Sequence, residues 1–465
     1  MKVEVVYGPP GCGKTTYLVN SAKIIAKKYD KPILFVSFTK AAAKEAKSRI
    51  DSKLVNVSTI HSLGYHKAGI NKGQVIDYHK LKDFGKKVGF NIKGGDLESE
   101  EGIEVGDRML ALLHLAVAKK QSFDEVYTQS SRPTNAHSFD FFVKSYVEWK
   151  KQYGYVDFND MLVMFPDNCV HYDTVIIDEG QDLSPIQWDV IEKIVVNAKR
   201  VIIAGDDDQA IYEWGGADLN GMQKFEKLHN AKRTILGQSY RVPEKIHALS
   251  QKLVRRITDR VDKEYLPADT EGVITKYGSP EHVSFDSKDD TLILYRNHMY
   301  RKELENVLIE NLIPYYADSG FPGLLDNKYG KGIKAYNKLT GGGSLTIKEL
   351  SSIKNVSNRK VNDMINSRAF NRLPEKWYSS INVPYHWRHY YEHVDMVTAP
   401  NVRISSIHGS KGREADRVIL HTGMAQRTLS SSIENPDAET RVFYVAITRT
   451  KNKLDIIEGY RGFKI

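Results

Sequence analysis

Residues 8–15 read Gly8-Pro9-Pro10-Gly11-Cys12-Gly13-Lys14-Thr15 and follow directly on an apolar, β-branched run at residues 3–7. A strand that runs into a glycine-rich turn and then a helix is a βα unit, so the chain is committed almost from its start to a parallel sheet covered by helices. Behind the turn, Tyr17, Leu18, Ala22 and Ile25 give the helix an apolar side. The eight residues fit G-x-x-x-x-G-K-[ST] in full. Polyphosphate spreads its charge over oxygens that one side chain cannot surround. A loop of inward-pointing backbone N–H groups can do so, provided that glycines keep Cβ atoms out of the approach. Gly8, Pro9, Gly11, Cys12, Gly13, Lys14, Thr15 and Thr16 are therefore the expected nucleoside-triphosphate loop. Lys14 would reach the β and γ phosphates, Thr15 would place its hydroxyl on Mg²⁺, and the helix would point its positive end at the anion.

A chain of 465 residues exceeds what one core fills, and its 41% hydrophobic content is enough for two or more domains. Its two cysteines, Cys12 and Cys169, cannot form a disulfide framework, and a bridge at Cys12 would obstruct the phosphate loop. A reducing cytoplasm is expected. Met1 leads into a strand with no basic-then-apolar leader, and no apolar run approaches membrane-spanning length, so no membrane partner is expected. The net charge of +9 favours a polyanionic partner, although basic balance alone is weak evidence.

The βα texture runs to about residue 49 and returns at residue 174. Between them, residues 66–154 are Lys-rich with helical periodicity, which predicts a mainly helical insertion. A second α/β unit starts at residue 237 and is interrupted at 317–399 by a stretch with Gly341-Gly342-Gly343 and a cluster of Trp377, Tyr378, Trp387, Tyr390 and Tyr391. The expected organisation is α/β, with one parallel-sheet domain at 1–65 and 155–236 and a second at 237–316 and 400–465. Each is split by an insertion, the second of them small.

Two strand ends carry the remaining chemistry. Val175-Ile176-Ile177-Asp178-Glu179 ends a buried-looking strand in two carboxylates, which at the carboxyl end of a parallel strand face the crevice where phosphates lie. Asp178 would hold Mg²⁺, directly or through water, and Glu179 would orient and deprotonate the attacking water. Ala204-Gly205-Asp206-Asp207-Asp208-Gln209 closes another strand, where Gln209 is a neutral group able to sense a γ-phosphate. Taken alone, an acidic loop of this kind is expected to be solvated.

Together these residues resemble the superfamily 1A DNA helicases of the UvrD, Rep and PcrA kind, in order and over nearly the whole chain. The further similarities are Phe38-Thr39-Lys40-Ala41-Ala42, Thr59-Ile60-His61-Ser62-Leu63, Val156-Asp157-Phe158-Asn159-Asp160 and the run from Gly205 through Tyr212 to Trp214. They continue with Gln238-Ser239-Tyr240-Arg241, Leu294-Tyr295-Arg296, the run from Ser406 through His408 to Glu414, and Tyr444-Val445-Ala446-Ile447-Thr448-Arg449. The resemblance implies two RecA-like domains with ATP in the cleft between them. By the same resemblance Gln209 couples nucleotide state to DNA. Arg241 and Arg449, both from the second domain, act as arginine fingers, Tyr240 stacks on the adenine and Glu414 binds the ribose. Phe38 and Trp214, with Tyr212 nearby, would stack on bases, while Thr39, His61, Ser406 and His408 would contact phosphates or sugars.

The implied activity is ATP-driven translocation along single-stranded DNA, 3′ to 5′, with unwinding at junctions of single and double strands. Replication or repair proteins would be partners, the protein would be monomeric or weakly self-associating, and a bacterial or phage-infected cell is the expected setting. An alternative is a DNA-stimulated ATPase that strips or loads proteins with little unwinding. A small-metabolite kinase would leave the Tyr240-Arg241 and Thr448-Arg449 motifs without a purpose.

Four features depart from the family's pattern. The segment 317–399 is much shorter than the family's large subdomain. The chain starts almost on its first strand, without the glutamine-bearing segment that reads adenine, which predicts comparable use of other NTPs. Gly215 stands where an arginine commonly follows the tryptophan, and Gly180 where a bulkier residue is common.

Overall fold

β-branched runs and capped helices alternate along the chain, and their periodicity sorts them into two separate parallel sheets. The computed structural model describes residues 1–94, 104–131, 133–285, 288–317, 328–394 and 400–465. Contacts divide the chain into two compact units. The first comprises Met1–Val242, Ser250–Asp269 and Asn435–Tyr444, and the second Pro243–Leu249, Thr270–Glu434 and Val445–Ile465.

The first unit is built on β1 (Lys2–Tyr7), β2 (Ile33–Ser37), β3 (Val55–Thr59), β4 (Thr174–Ile177), β5 (Arg200–Gly205) and β6 (Lys232–Ile235). Their spatial order is β3-β2-β4-β5-β1-β6, and every pairing is parallel. In register, Val3 lies opposite Val201, Val5 opposite Ile203 and Tyr7 opposite Gly205. Because side chains alternate along a strand, a parallel sheet needs apolar residues on both faces. Here Val3, Val5, Val36, Val175, Ile177, Val201 and Ile203 face one core, together with Trp188, Ile191 and Ile194. Val6, Phe35, Ile176, Ile202 and Ala204 face the other, covered by Leu18, Val19, Ala22 and Ile25 of the helix Lys14–Tyr29.

The segment between β3 and β4 carries the helices Tyr78–Val88, Val105–Lys119, Phe123–Gln129 and Ala136–Tyr153. They enclose a core of their own around Phe84, Met109, Phe142, Tyr146 and Trp149. Ring contacts such as Phe84–Phe142 at 5.4 Å and Phe84–Trp149 at 5.0 Å hold it together. Local caps set the helix starts. Ser122 and Glu125 form a reciprocal capping box, and Asn135 accepts from the Ser138 N–H.

The second unit has β7 (Val273–Tyr277), β8 (Thr291–Tyr295), β9 (Tyr315–Tyr316), β10 (Val402–Ser406), β11 (Ala415–His421) and β12 (Thr450–Ile457). Their order is β7-β12-β11-β8-β10-β9, again all parallel. Between β9 and β10 lie the helices Lys328–Thr340, Ile347–Lys354, Arg359–Asn366 and Tyr385–His393. Their buried Tyr336, Ile353 and Tyr390, with the nearby Trp377, belong to the same apolar cluster as Ile293, Tyr295, Ile404 and Ile419 of the sheet. Among the described residues this stretch therefore shares the core of the sheet, whereas the helices between β3 and β4 have a separate one. The aromatic cluster noted in the sequence is the reason: Trp377 and Tyr391 face inward, and the Tyr390 hydroxyl donates to the Ile313 carbonyl (2.7 Å).

No helix among the described residues is long and apolar enough to cross a membrane.

Candidate nucleotide site and nucleic-acid interface

Parallel pairing brings the carboxyl ends of β1, β4 and β5 to one edge of the first sheet, and each end carries a motif. The Gly8 N–H donates to the Gly205 carbonyl (2.9 Å), which ties the start of the phosphate loop to the end of β5. Lys14 Nζ folds back to donate to the Gly8 carbonyl (2.6 Å), so the ammonium stays at the loop mouth. Thr15 Oγ1 donates to Asp178 Oδ2 at 2.8 Å, although the two residues lie 163 apart in sequence. Burial, and next the charge of Glu179, push the Asp178 carboxyl up to about 7. A hydroxyl and a carboxylate at this spacing are hard oxygen donors of the kind Mg²⁺ takes when it also binds phosphates, so the pair fits that ion. Cys12 is buried in the same loop, and burial raises its thiol pKa.

Glu179 adopts a left-handed backbone (φ 58°), a conformation that a non-glycine residue holds only when its surroundings enforce it. The Gln181 amide is one such constraint. Its Nε2 donates to Glu179 Oε2 (2.6 Å) and to Asp182 Oδ2 (3.1 Å), while its Oε1 accepts from the Asp206 N–H (2.9 Å). Asp206 Oδ2 in turn accepts from Gln209 Nε2 (2.6 Å). At Gly180, a Cβ would lie 2.8 Å from Ile203 Cγ2, so a bulkier residue has no room here.

The acidic loop after β5 is not solvated, contrary to the expectation for such a run. Asp206, Asp207 and Asp208 are all buried, and Lys263 is the cause. Its ammonium lies 3.3 Å from Asp206 and 2.9 Å from Asp208 and hydrogen-bonds Asp207, while Arg260 grips Asp208 through two bonds of 2.8 and 2.7 Å. Arg441 Nε adds a bond to the Asp207 carbonyl (3.1 Å). Nothing in the sequence marked Lys263, Arg260 or Arg441, because the contacts close over long separations and follow no spacing rule. Gln181 likewise carries no signal of its own in the sequence.

Tyr240 and Arg241 fall in the first unit, not in the second as expected. Ser239 Oγ donates to the Pro10 carbonyl (2.8 Å) and the Tyr240 N–H to the Gly11 carbonyl (2.9 Å), which stitches this strip to the phosphate loop. The approach is so close that a Cβ on Gly11, itself at φ 73°, would lie 2.5 Å from Arg241 Cβ. Tyr240 is 77% exposed, free of any core duty and beside the loop.

Phe38, Tyr212 and Trp214 come together in the same unit. The Phe38 and Tyr212 rings stack at 5.8 Å with 28° between planes, and Tyr212 meets Trp214 at 6.4 Å. Trp214 is 46% exposed, which for so large an aromatic marks a surface role more readily than a core one. Thr39 caps the helix Lys40–Arg49 by accepting from the Ala42 N–H (3.1 Å). His61 packs edge-on against Phe158 at 5.8 Å, and burial lowers its pKa.

The remaining site residues lie in the second unit. Ser406 Oγ accepts from the Gly409 N–H (3.0 Å) in the turn after β10, with His408 buried beside it. Glu414 pairs with Lys451 at 2.9 Å. Arg449 is buried, its Nε donating to the Val445 carbonyl (3.0 Å) and its Nη1 within 3.5 Å of the Arg413 carbonyl.

Comparison with known proteins matches the family model described as UvrD/REP helicase N-terminal domain to residues 2–230, and the UvrD-like helicase C-terminal domain to residues 389–459. Among similar proteins are DNA helicase II of Haemophilus influenzae, 27% identical over 68% of this chain and 49% of that protein, and a probable DNA helicase II homolog of Mycoplasma capricolum, 27% identical over 80% and 57%. ATP-dependent DNA helicase PcrA of Bacillus subtilis is 25% identical over 71% of this chain and 50% of its own length. The chain thus spans about half the length of these relatives. Two family models in the right order, covering well over half of the residues and part of each parallel sheet, establish that the chain belongs to the UvrD/REP family of superfamily 1A helicases.

Proposed function

We propose that this protein is an ATP-dependent DNA translocase and helicase that moves along single-stranded DNA, 3′ to 5′, and opens duplexes at single-strand junctions. The observation that carries this reading is the linkage, inside one unit, between the phosphate loop and an exposed aromatic group. Lys14, Thr15, Asp178, Glu179, Gln209 and Arg241 gather at one sheet edge, and the loop that holds Gln209 continues within five residues to Trp214.

In this reading Thr15 and Asp178 hold Mg²⁺, which when bound neutralises phosphate charge. Lys14 and Arg241 stabilise the charge that develops on the γ-phosphate, and Glu179 orients and deprotonates water. Arg449 is assigned a second finger role, and Tyr240 and Glu414 the base and ribose, on the family resemblance. Phe38, Tyr212 and Trp214 stack on bases, tolerant of sequence because every base has a π face. Thr39, His61, Ser406 and His408 contact the backbone.

A second reading, a DNA-stimulated ATPase that displaces proteins with little unwinding, is favoured by one feature: residues 328–394 share the core of the second sheet instead of forming a separate body. Duplexes with a 3′ or a 5′ single-stranded tail, and a tailed strand carrying a bound protein, separate the two. Unwinding of the 3′-tailed duplex supports the first reading, and protein release without unwinding supports the second. Glu179→Gln is expected to retain ATP binding and to hydrolyse at least about a hundredfold more slowly. Near-normal hydrolysis would remove Glu179 from the role of base.

A further inference from the structure

We infer that Gln181 is a positioning residue that aims Glu179 and ties its position to the loop bearing Gln209 and Trp214. The inference rests on the hydrolytic reading above and adds to it a route by which the state of the water-activating carboxylate reaches the strand-binding loop.

Gln181 is 1% exposed and lies between three groups that make opposite demands. Glu179 and Asp182 need donors, and the Asp206 N–H needs an acceptor. A primary amide has two N–H bonds and one carbonyl, and Gln181 uses all of them: two donations to the carboxylates at 2.6 and 3.1 Å, and one acceptance from Asp206 at 2.9 Å. The opposite amide orientation would set its oxygen against two carboxylates and its N–H₂ against another N–H, so the environment fixes one orientation. Asp206 is then held on its other side by Gln209 Nε2 at 2.6 Å and Lys263 at 3.3 Å. The result is a continuous series from Glu179 through Gln181 and Asp206 to Gln209. Any shift of the Glu179 carboxylate must either break a buried hydrogen bond or move the Asp206 backbone with it.

The fit is tight as well as polar. A Cβ on Gly205 would lie 2.4 Å from Gln181 Oε1 and equally close to Met222 Sδ. The strand end is bare where the amide needs the space.

Two substitutions test the role. Gln181→Met keeps the length and removes the hydrogen bonds; Gly205→Ala leaves Gln181 in place and displaces its amide, so a folding failure of either variant leaves the other. Steady-state ATP hydrolysis is measured with and without a thymidine homopolymer, together with KM for ATP and the thermal midpoint. A displacement of a catalytic group by about an ångström costs up to about a hundredfold in rate. The expected result is a 10- to 100-fold fall in kcat, KM changed by less than about threefold, and a smaller stimulation by DNA. In the Glu179→Gln background, Gln181→Met is expected to alter the residual rate by less than about twofold, because its target is gone. Additive losses in that double variant, or kcat within twofold of wild type in both single variants, would overturn the proposal. A wild-type protein indifferent to DNA would instead reject the functional reading on which the proposal rests.

Discussion

Lys263 shows how far a single cation can dictate the shape of a loop. Its side chain is 1% exposed, and burial by itself lowers its pKa. The charges of Asp206, Asp208 and Asp207 outweigh that cost and hold its pKa well above that of an ordinary lysine. In return, three successive carboxylates occupy a buried loop in which they would otherwise repel one another. Breaking a buried ion pair by removing one partner typically costs about 3–5 kcal/mol. Lys263→Met is therefore expected to lower stability by about that amount, seen as a drop in the denaturant midpoint. A change below about 1 kcal/mol would mean that the aspartates do not depend on it. At this scale the sequence was informative where chemistry is local and silent where it is not. Gly8 to Thr15 carries its meaning in adjacent residues. Lys263 sits 56 residues from Asp207, in a stretch whose charges look like any solvated surface.

At the level of elements, the helix Phe158–Val163 illustrates a motif whose visible purpose is structural. Asp157 caps it, with a reciprocal bond from Asp160 to the Asp157 N–H, and Lys150 bonds both carboxylates at 2.7 Å. Burial pushes the Asp157 carboxyl up, but the neighbouring His114 and Lys150 win and hold it below the usual carboxylate range. A depressed carboxylate contributes stability that is complete above its unfolded pKa, near 4, and is lost as pH falls through the folded value. Asp157→Asn keeps the cap and loses the charge. It is expected to cost about 2 kcal/mol at pH 7, as for a hydrogen bond to a charged group, with the difference from wild type shrinking below about pH 4. A deficit that stays constant down to pH 3 would contradict the assignment.

The loop after β5 carries the proposed strand-binding group. If Trp214 stacks on bases as proposed, Trp214→Ala removes about 1–3 kcal/mol per base. Affinity for a thymidine oligomer is expected to fall by tenfold or more, with ATP hydrolysis in the absence of DNA unchanged. Equal losses in both would indicate a folding role. Central strands such as β1 and β4 were legible, since they are buried on both faces and read as apolar runs, whereas the edge strands β3, β6 and β7 are half-exposed and mixed in character. The sharing of one core by residues 328–394 and the second sheet was not, because the aromatic cluster at 377–391 has no period that says which surface it meets. Nor was the membership of Arg241 in the first unit, where the Ser239 hydroxyl and the Tyr240 backbone N–H donate to carbonyls of the phosphate loop.

For the whole molecule, the net charge of +9 is consistent with the proposed binding of a polyanionic strand. Contacts to phosphates release counterions, so affinity for single strands should fall linearly on a logarithmic salt scale, with a slope of about 0.7 per phosphate engaged. That nucleotide chemistry at the β1, β4 and β5 edge is governed by a strand held at Phe38, Tyr212 and Trp214 is the heart of the proposed function. Its most direct test is the rate of ATP hydrolysis by the purified protein with Mg²⁺, in the presence and absence of single-stranded DNA, across a salt series. A stimulation of tenfold or more by DNA that fades as salt rises is expected. Turnover that is the same with and without DNA at every salt concentration would contradict it.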